Sequence, residues 1–144
     1  MEFTSKFLKA KLHQHSTFRG IPIIIEWPKG SVRTGTNDQG EPWKRKMEAD
    51  YGYVNSTIGA GDLEPLDVYI GSDEDAADVY VVEQLKEDGS FDEYKVCLGF
   101  PDMETAYKTY LSHYPEDWED TRVGDVDAVP FDEAFDEIER QQSL

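Results

Sequence analysis

"DYGYVNSTIGAGDLEPLDVYIG", residues 50–71, decides how this chain is read. Its first part alternates about Gly52 and reads as a strand, "PLDVYI" reads as another, and "GAGD" breaks the two. On the second strand Leu66, Val68 and Ile70 point one way, and Asp67 points the other way with Tyr69. Three acids, Asp62, Glu64 and Asp67, crowd the start of that strand. Pro65 fixes the backbone there and the glycines before it allow unusual dihedrals, so the three carboxylates can converge on one point. Oxygen donors of this kind suit Mg²⁺, Mn²⁺ or Ca²⁺ rather than zinc. A chain this acidic also produces such a triplet by chance, as plain solvated loop.

The β pattern continues on both sides. "IPIIIEW" (21–27) is a β-branched run, and "SVRTGTNDQGEPWKRKM" (31–47) reads as two short strands joined by a turn at 37–42. "DVYVVEQL" (78–85) and "FDEYKVCLGF" (91–100) follow. Short strands at close spacing predict a small barrel or sandwich rather than βαβ units. After Phe100 the period changes. Met103, Ala106, Tyr107, Tyr110, Leu111 and Tyr114 recur at three and four, with Asp102 as N-cap, which predicts an amphipathic helix. Phe131, Ala134, Phe135 and Ile138 form one face of a second helix after Pro130. Between them, "PEDWEDTRVGDVDAV" (115–129) reads as loop with a short extended piece. The expected class is α+β, mainly β, with a curved sheet first and helices last. Residues 1–16 read as an N-terminal arm, flexible or partner-binding, and 17–144 as a single domain.

Across 144 residues there are 31 acids against 14 bases, a formal net charge of −17. That field repels nucleic acid and anionic membrane, and it attracts divalent cations or a basic protein surface. A hydrophobic share of 38%, with 12% aromatic, is enough to build a core despite the charge. Cys97 is the sole cysteine, so an intrachain disulfide and zinc-finger spacings are excluded. "MEFTSKFLKAKLHQHS" (1–16) holds no apolar run suited to a signal peptide, and a cytoplasmic location is expected.

A second acidic group, Asp88, Asp92 and Glu93, lies in and after a turn. Lys95 follows two residues after Glu93 and shares its face of a strand. The scarcer bases concentrate ahead of the first acidic cluster, at Lys29, Arg33, Lys44, Arg45 and Lys46. Cation-binding acids beside a basic stretch are what phosphoryl hydrolysis needs, because both cations and Lys or Arg shield phosphate charge.

"DYGYVNST" followed by "DLEPLDVYI" resembles the core of the family I soluble inorganic pyrophosphatases, where a Tyr-Gly-Tyr/Phe segment runs into Asp-Gly-Asp-Pro-x-Asp. The likeness is closer to a compact phage and prophage form, the pyrophosphatase-like domain of polyvalent proteins. "FRGIPIIIEWPKGSVRTGT", "WKRKMEADYGYV", "LDVYIG", "DEYKVCLGF", "YLSHY" and "AVPFDEAF" carry it in order over most of the chain. The resemblance implies an OB-like five-stranded barrel with two C-terminal helices packed outside, and Mg²⁺-dependent hydrolysis of pyrophosphate or a related phosphoanhydride. Mn²⁺ is the alternative cation. By resemblance, Asp62, Glu64, Asp67, Asp88 and Glu93 are the metal-binding acids. Glu64 takes the place of the general base on the attacking water, with Asp67 as the other catalytic acid. Glu26, Arg33, Tyr51, Lys95 and Tyr114 fall at substrate-binding positions. If the chain is phage-encoded, it acts in the cytoplasm of the bacterial host.

Three positions depart from the family pattern. Leu63 replaces a glycine, Glu64 a shorter aspartate, and Pro115 a lysine found in many members. A catalytic oxygen displaced by about 1 Å can cost around a hundredfold in rate. A rival class follows from such decay together with the charge. It is an acidic, DNA-mimicking interaction protein that blocks a host defence or DNA-binding factor. Plainer readings hold elsewhere. His113 reads as a cap or surface residue at a helix end, Trp27 and Trp43 as core or rim, and Cys97 as a small buried hydrophobe.

Overall fold

Alternation along Ile21–Trp27 (β2) puts Ile21, Ile23 and Ile25 on one face of a sheet, and the strands beside it continue that face. The computed structural model describes residues 14–55 and 66–142, with side chains to 137. The other strands are β1 (Gln14–Phe18), β3 (Val32–Thr36), β4 (Pro42–Lys46), β5 (Asp50–Val54), β6 (Asp67–Ile70), β7 (Asp78–Leu85), β8 (Phe91–Leu98) and β9 (Val123–Pro130). The helices are α1 (Met103–Leu111), α2 (Trp118–Arg122) and α3 (Phe131–Gln142). Seven strands form one mixed sheet in the order β1-β2-β5-β6-β8-β7-β9, and β3-β4 form a separate ribbon.

The expected closed five-stranded barrel is therefore corrected to an open seven-stranded sheet plus a ribbon. The added length comes from both ends. Gln14–Phe18, partly assigned to the arm, folds back on β2 through Arg19 and Gly20, both at positive φ, as a two-residue hairpin requires. At the other end, residues expected to be largely loop form α2 and then an eight-residue strand, β9, antiparallel to β7. β9 reads poorly from sequence because it lies at the sheet edge. Asp125 and Asp127 are exposed there, and charges on an edge strand discourage further pairing.

The sheet is buried on both faces. One face holds Ile23, Val54, Val68, Val79, Val96 and Leu98, covered by Phe131, Ala134 and Phe135 of α3. The other holds Tyr51, Tyr69, Tyr80, Val82 and Cys97, covered by Ala106 and Tyr110 of α1 with Trp118 of α2 behind them. At about 25 cal/mol per Å² of apolar surface, burying side chains of this size contributes roughly 1.5–3 kcal/mol each. The expected α1 forms, and Asp102 caps it, its carboxylate accepting from the Thr105 N–H at 2.7 Å. Among the described residues no helix is long and apolar enough to cross a membrane.

Gly52 sits where β5 crosses β2, and a side chain there would be driven into the Ile24 carbonyl and the Ile25 backbone. Because the obstacle is backbone within a sheet, it cannot rotate away. Gly52→Ala is expected to cost about 3 kcal/mol or more, read as a lower urea midpoint at unchanged slope.

Candidate active site

Lys95 stands on β8, the strand between β6 and β7, on the tyrosine-rich face of the sheet. Only 5% of it is exposed. An ammonium so buried is costly unless paired and hydrogen-bonded. Its nitrogen donates to the Tyr51 hydroxyl at 2.7 Å and to Asp67 Oδ2 at 2.9 Å, and it pairs with Glu93 Oε1. Three ammonium donors meet three oxygens. Sheet register explains the convergence. β6 runs parallel to β8 with Val68 opposite Val96, which brings Asp67 beside Lys95, while Glu93 lies two residues back on the same face. Tyr51 reaches in from β5, opposite Tyr69.

Burial opposes the charge on Lys95, but the oxygens of Tyr114, Tyr51 and Asp67 and the hydrogen bond to Glu93 outweigh it, holding its pKa above the ordinary 10.5. Burial, reinforced by Asp67 and opposed by Lys95, pushes the Tyr51 phenol up to about 12.

A cleft of about 730 Å³ reaches this cluster at Lys95 and is bordered by Arg33, Tyr69, Tyr114, Gln84, Trp43 and Trp118 among others, while Tyr51, Asp67 and Glu93 are not among the residues bordering it. Among the described residues, five bases border it (Arg33, Arg45, Lys86, Lys95 and Arg122), against four acids (Asp38, Glu87, Asp88 and Asp92). In a chain of charge −17, those bases offer an anion local attraction that the net charge does not. The β3-β4 ribbon supplies Arg33, whose guanidinium lies 4.5 Å from the Tyr51 ring centroid. Tyr114, just past α1, shares a hydrogen bond of 3.1 Å with the Tyr69 hydroxyl.

The expected site residues thus divide. Asp67, Glu93 and Tyr51 all meet at Lys95, and Arg33 stacks on Tyr51. Tyr114 and Asp88 border the same cleft. Asp88 lies in the β7-β8 turn, where its carboxylate accepts from the Ser90 N–H at 2.9 Å and the Ser90 hydroxyl at 2.5 Å. Glu26 sits in the β2 bulge near Tyr53 and is not among the residues bordering the cleft. Asp62 and Glu64 lie outside the described residues, as does the arm over residues 1–13. Among the described residues no three acids, histidines or cysteines gather as a metal cluster. Asp67 and Glu93 nonetheless offer carboxylate oxygens on either side of Lys95, with side chains 27% and 36% exposed, and that donor chemistry fits Mg²⁺.

Sequence reading missed two supports. His113 is buried rather than superficial. Its Nε2 accepts from the Glu48 N–H at 2.9 Å, its carbonyl accepts from Arg45 Nε at 2.9 Å, and its ring stacks on Tyr69 at 4.8 Å. It therefore ties the ribbon to the end of α1. Gln84 is the second, its carbonyl accepting from the Tyr110 hydroxyl at 2.7 Å while its amide donates to Asp92 at 3.1 Å. Gln84 continues the buried alternation of Tyr80 and Val82, and His113 follows Ala106 and Tyr110 at helical spacing, but their polar side chains obscured that pattern. Only Arg45, within "KRK", stood out in the sequence.

The family pattern described as Inorganic Pyrophosphatase matches residues 6–138, and the chain belongs to that family. No curated protein and no solved structure matches it. Inorganic pyrophosphatases generally use divalent metals, which agrees with the carboxylates at hand.

Two pH effects follow. Lys95 and Tyr51 both bind protons more tightly folded than unfolded, so their contribution is present below about pH 10 and is lost as pH rises further. Lys95→Met is expected to remove the lysine share of that alkaline loss. It should also lower stability by about 2 kcal/mol at neutral pH in urea melts, a figure reduced for the partly exposed carboxylates. Burial lowers the His113 pKa from its ordinary 6.5, so its contribution is present above pH 6.5 and is lost as pH falls below it. His113→Gln should flatten that acid limb in melts taken across the range.

Proposed function

We propose that this chain hydrolyses a phosphoanhydride, inorganic pyrophosphate in the first instance, with Mg²⁺ and with Mn²⁺ as a substitute. The observation that carries this reading is the buried Lys95, clamped by Asp67, Glu93 and Tyr51 at the floor of a base-rich cleft. Membership of the pyrophosphatase family supports the same substrate. Water adds to one phosphorus, the bridging P–O bond breaks with its electrons on the bridging oxygen, and the water's proton goes to a carboxylate. Glu64 or Asp67 accepts that proton. Arg33, Lys95 and Tyr114 hold the departing phosphate, and Asp62, Glu64, Asp67, Asp88 and Glu93 supply oxygen donors for the cations. When bound, Mg²⁺ neutralises phosphate charge and makes water easier to deprotonate. All three Lys95 donors are engaged in the free protein, so a phosphate oxygen must displace one of them.

We further read residues 17–144, together with residues 14–16 that β1 adds to the sheet, as one domain of the compact phage and prophage type, acting in the cytoplasm. The order of the matching segments supports that subtype, and Leu63, Glu64 and Pro115 are its departures. The rival reading, an acidic decoy for a basic host protein, gains nothing from a cleft that more bases than acids border among the described residues.

Phosphate release from pyrophosphate, with Mg²⁺ and with chelator, tests the proposal. Turnover that needs Mg²⁺ and falls at least a hundredfold in Asp67→Asn is the expected result. Folded protein that releases no phosphate with either Mg²⁺ or Mn²⁺ would overturn it.

A further inference from the structure

The cleft is larger and more aromatic than pyrophosphate requires. Its volume of about 730 Å³ lies in the range that takes a drug-sized ligand, several times what bare pyrophosphate fills. Trp43 is the clearest anomaly. The large indole belongs to neither hydrophobic core of the described residues, yet it borders the cleft. It lies across Gly35 on the neighbouring strand, at a position where any side chain would collide with the ring. The Arg33 and Arg45 guanidinium carbons stand 5.6 and 5.8 Å from its centroid. Trp118 reaches the same cleft from α2, stacked on Tyr114 at 4.4 Å and held by its indole N–H on the Tyr110 hydroxyl at 2.9 Å.

These groups form a continuous path. Trp43 meets Arg33, Arg33 meets the Tyr51 ring at 4.5 Å, and the Tyr51 hydroxyl meets Lys95 at 2.7 Å. A flat apolar face, a guanidinium and a buried ammonium thus follow in sequence. That order matches a nucleobase joined to a phosphate chain, because aromatic faces stack any base and Arg and Lys take phosphates.

We infer that the substrate class of this site is a nucleoside 5′-polyphosphate, its base against Trp43 and its terminal phosphates between Arg33 and Lys95. The inference rests on the hydrolase reading above and narrows it. Water adds to the terminal phosphorus, and the last anhydride P–O bond breaks with its electrons on the bridging oxygen. The products are inorganic phosphate and the nucleotide one phosphate shorter, with the water's proton passing to a carboxylate. Specificity then depends on Trp43, a residue with no part in the chemistry.

The test compares ATP with pyrophosphate as substrates in Mg²⁺, for wild type, Trp43→Ala and Trp43→Phe. ATP binding is followed separately by quenching of tryptophan fluorescence. In Trp43→Ala, KM for ATP should rise about tenfold more than KM for pyrophosphate, the scale of one lost base–aromatic stack. Trp43→Phe, which keeps a ring, should recover most of it. ATP that binds wild type while neither ATP nor pyrophosphate is hydrolysed would overturn both the hydrolase reading and the substrate class inferred from it, leaving a nucleotide-binding site alone. Pyrophosphate turnover with neither ATP binding nor ATP turnover would defeat the inference alone. Equal changes for both substrates in Trp43→Ala would also defeat it.

Discussion

A buried ammonium cannot stand alone, and the arrangement around Lys95 follows from that requirement. Removing the charge from water costs several kcal/mol, which only close, well-oriented oxygens return. β5, β6 and β8 each contribute one, as Tyr51, Asp67 and Glu93. Strand order and register are therefore tied to the site. A one-residue slip of β6 would turn Asp67 to the opposite face and leave Lys95 short of a partner. In the same way, the acids that crowd residues 62–67 find a reason beyond composition at Asp67, which meets a cation supplied by the protein itself.

The aromatic shell extends that constraint outward. Tyr51, Tyr69, Tyr110, Tyr114 and Trp118 form a chain of ring contacts from the sheet to α2, at centroid distances of 4.4 to 6.0 Å. Hydroxyl and indole hydrogen bonds satisfy the polar tips of Tyr51, Tyr69, Tyr110, Tyr114 and Trp118, so the shell is apolar in bulk yet leaves those groups paired. It excludes water from the ammonium and so strengthens each charge contact there. The β3-β4 ribbon is attached to this shell through His113, whose contacts with Glu48 and Arg45 set where the ribbon's arginines stand. The ribbon's Arg45 is thus held by a residue that touches no phosphate in the proposed chemistry.

Much of the fold was legible in the residues. β2, β5 through β8 and α1 follow patterns of period two or of three and four, because each buries one or both faces, while β3 and β4 show through the turn between them. β1 was not expected and β9 only as a short extended piece, because both are edge strands with exposed polar positions, where the apolar alternation fades. The pairing of Glu93 with Lys95 on one face was legible from a spacing of two. Their meeting with Asp67 and Tyr51 was not, because it depends on parallel pairing between strands far apart in sequence.

By itself, then, the sequence determined a mainly β chain ending in helices, an acidic surface, and a set of acids, bases and tyrosines suited to phosphate chemistry. Those properties are local, set by side-chain type and period. Only the tertiary structure decided that the sheet stays open, that His113 and Gln84 lie inside, and that five of the scarce bases gather along one cleft. Each of these depends on contacts between elements far apart in the chain, and no local pattern encodes which distant strand will become a neighbour.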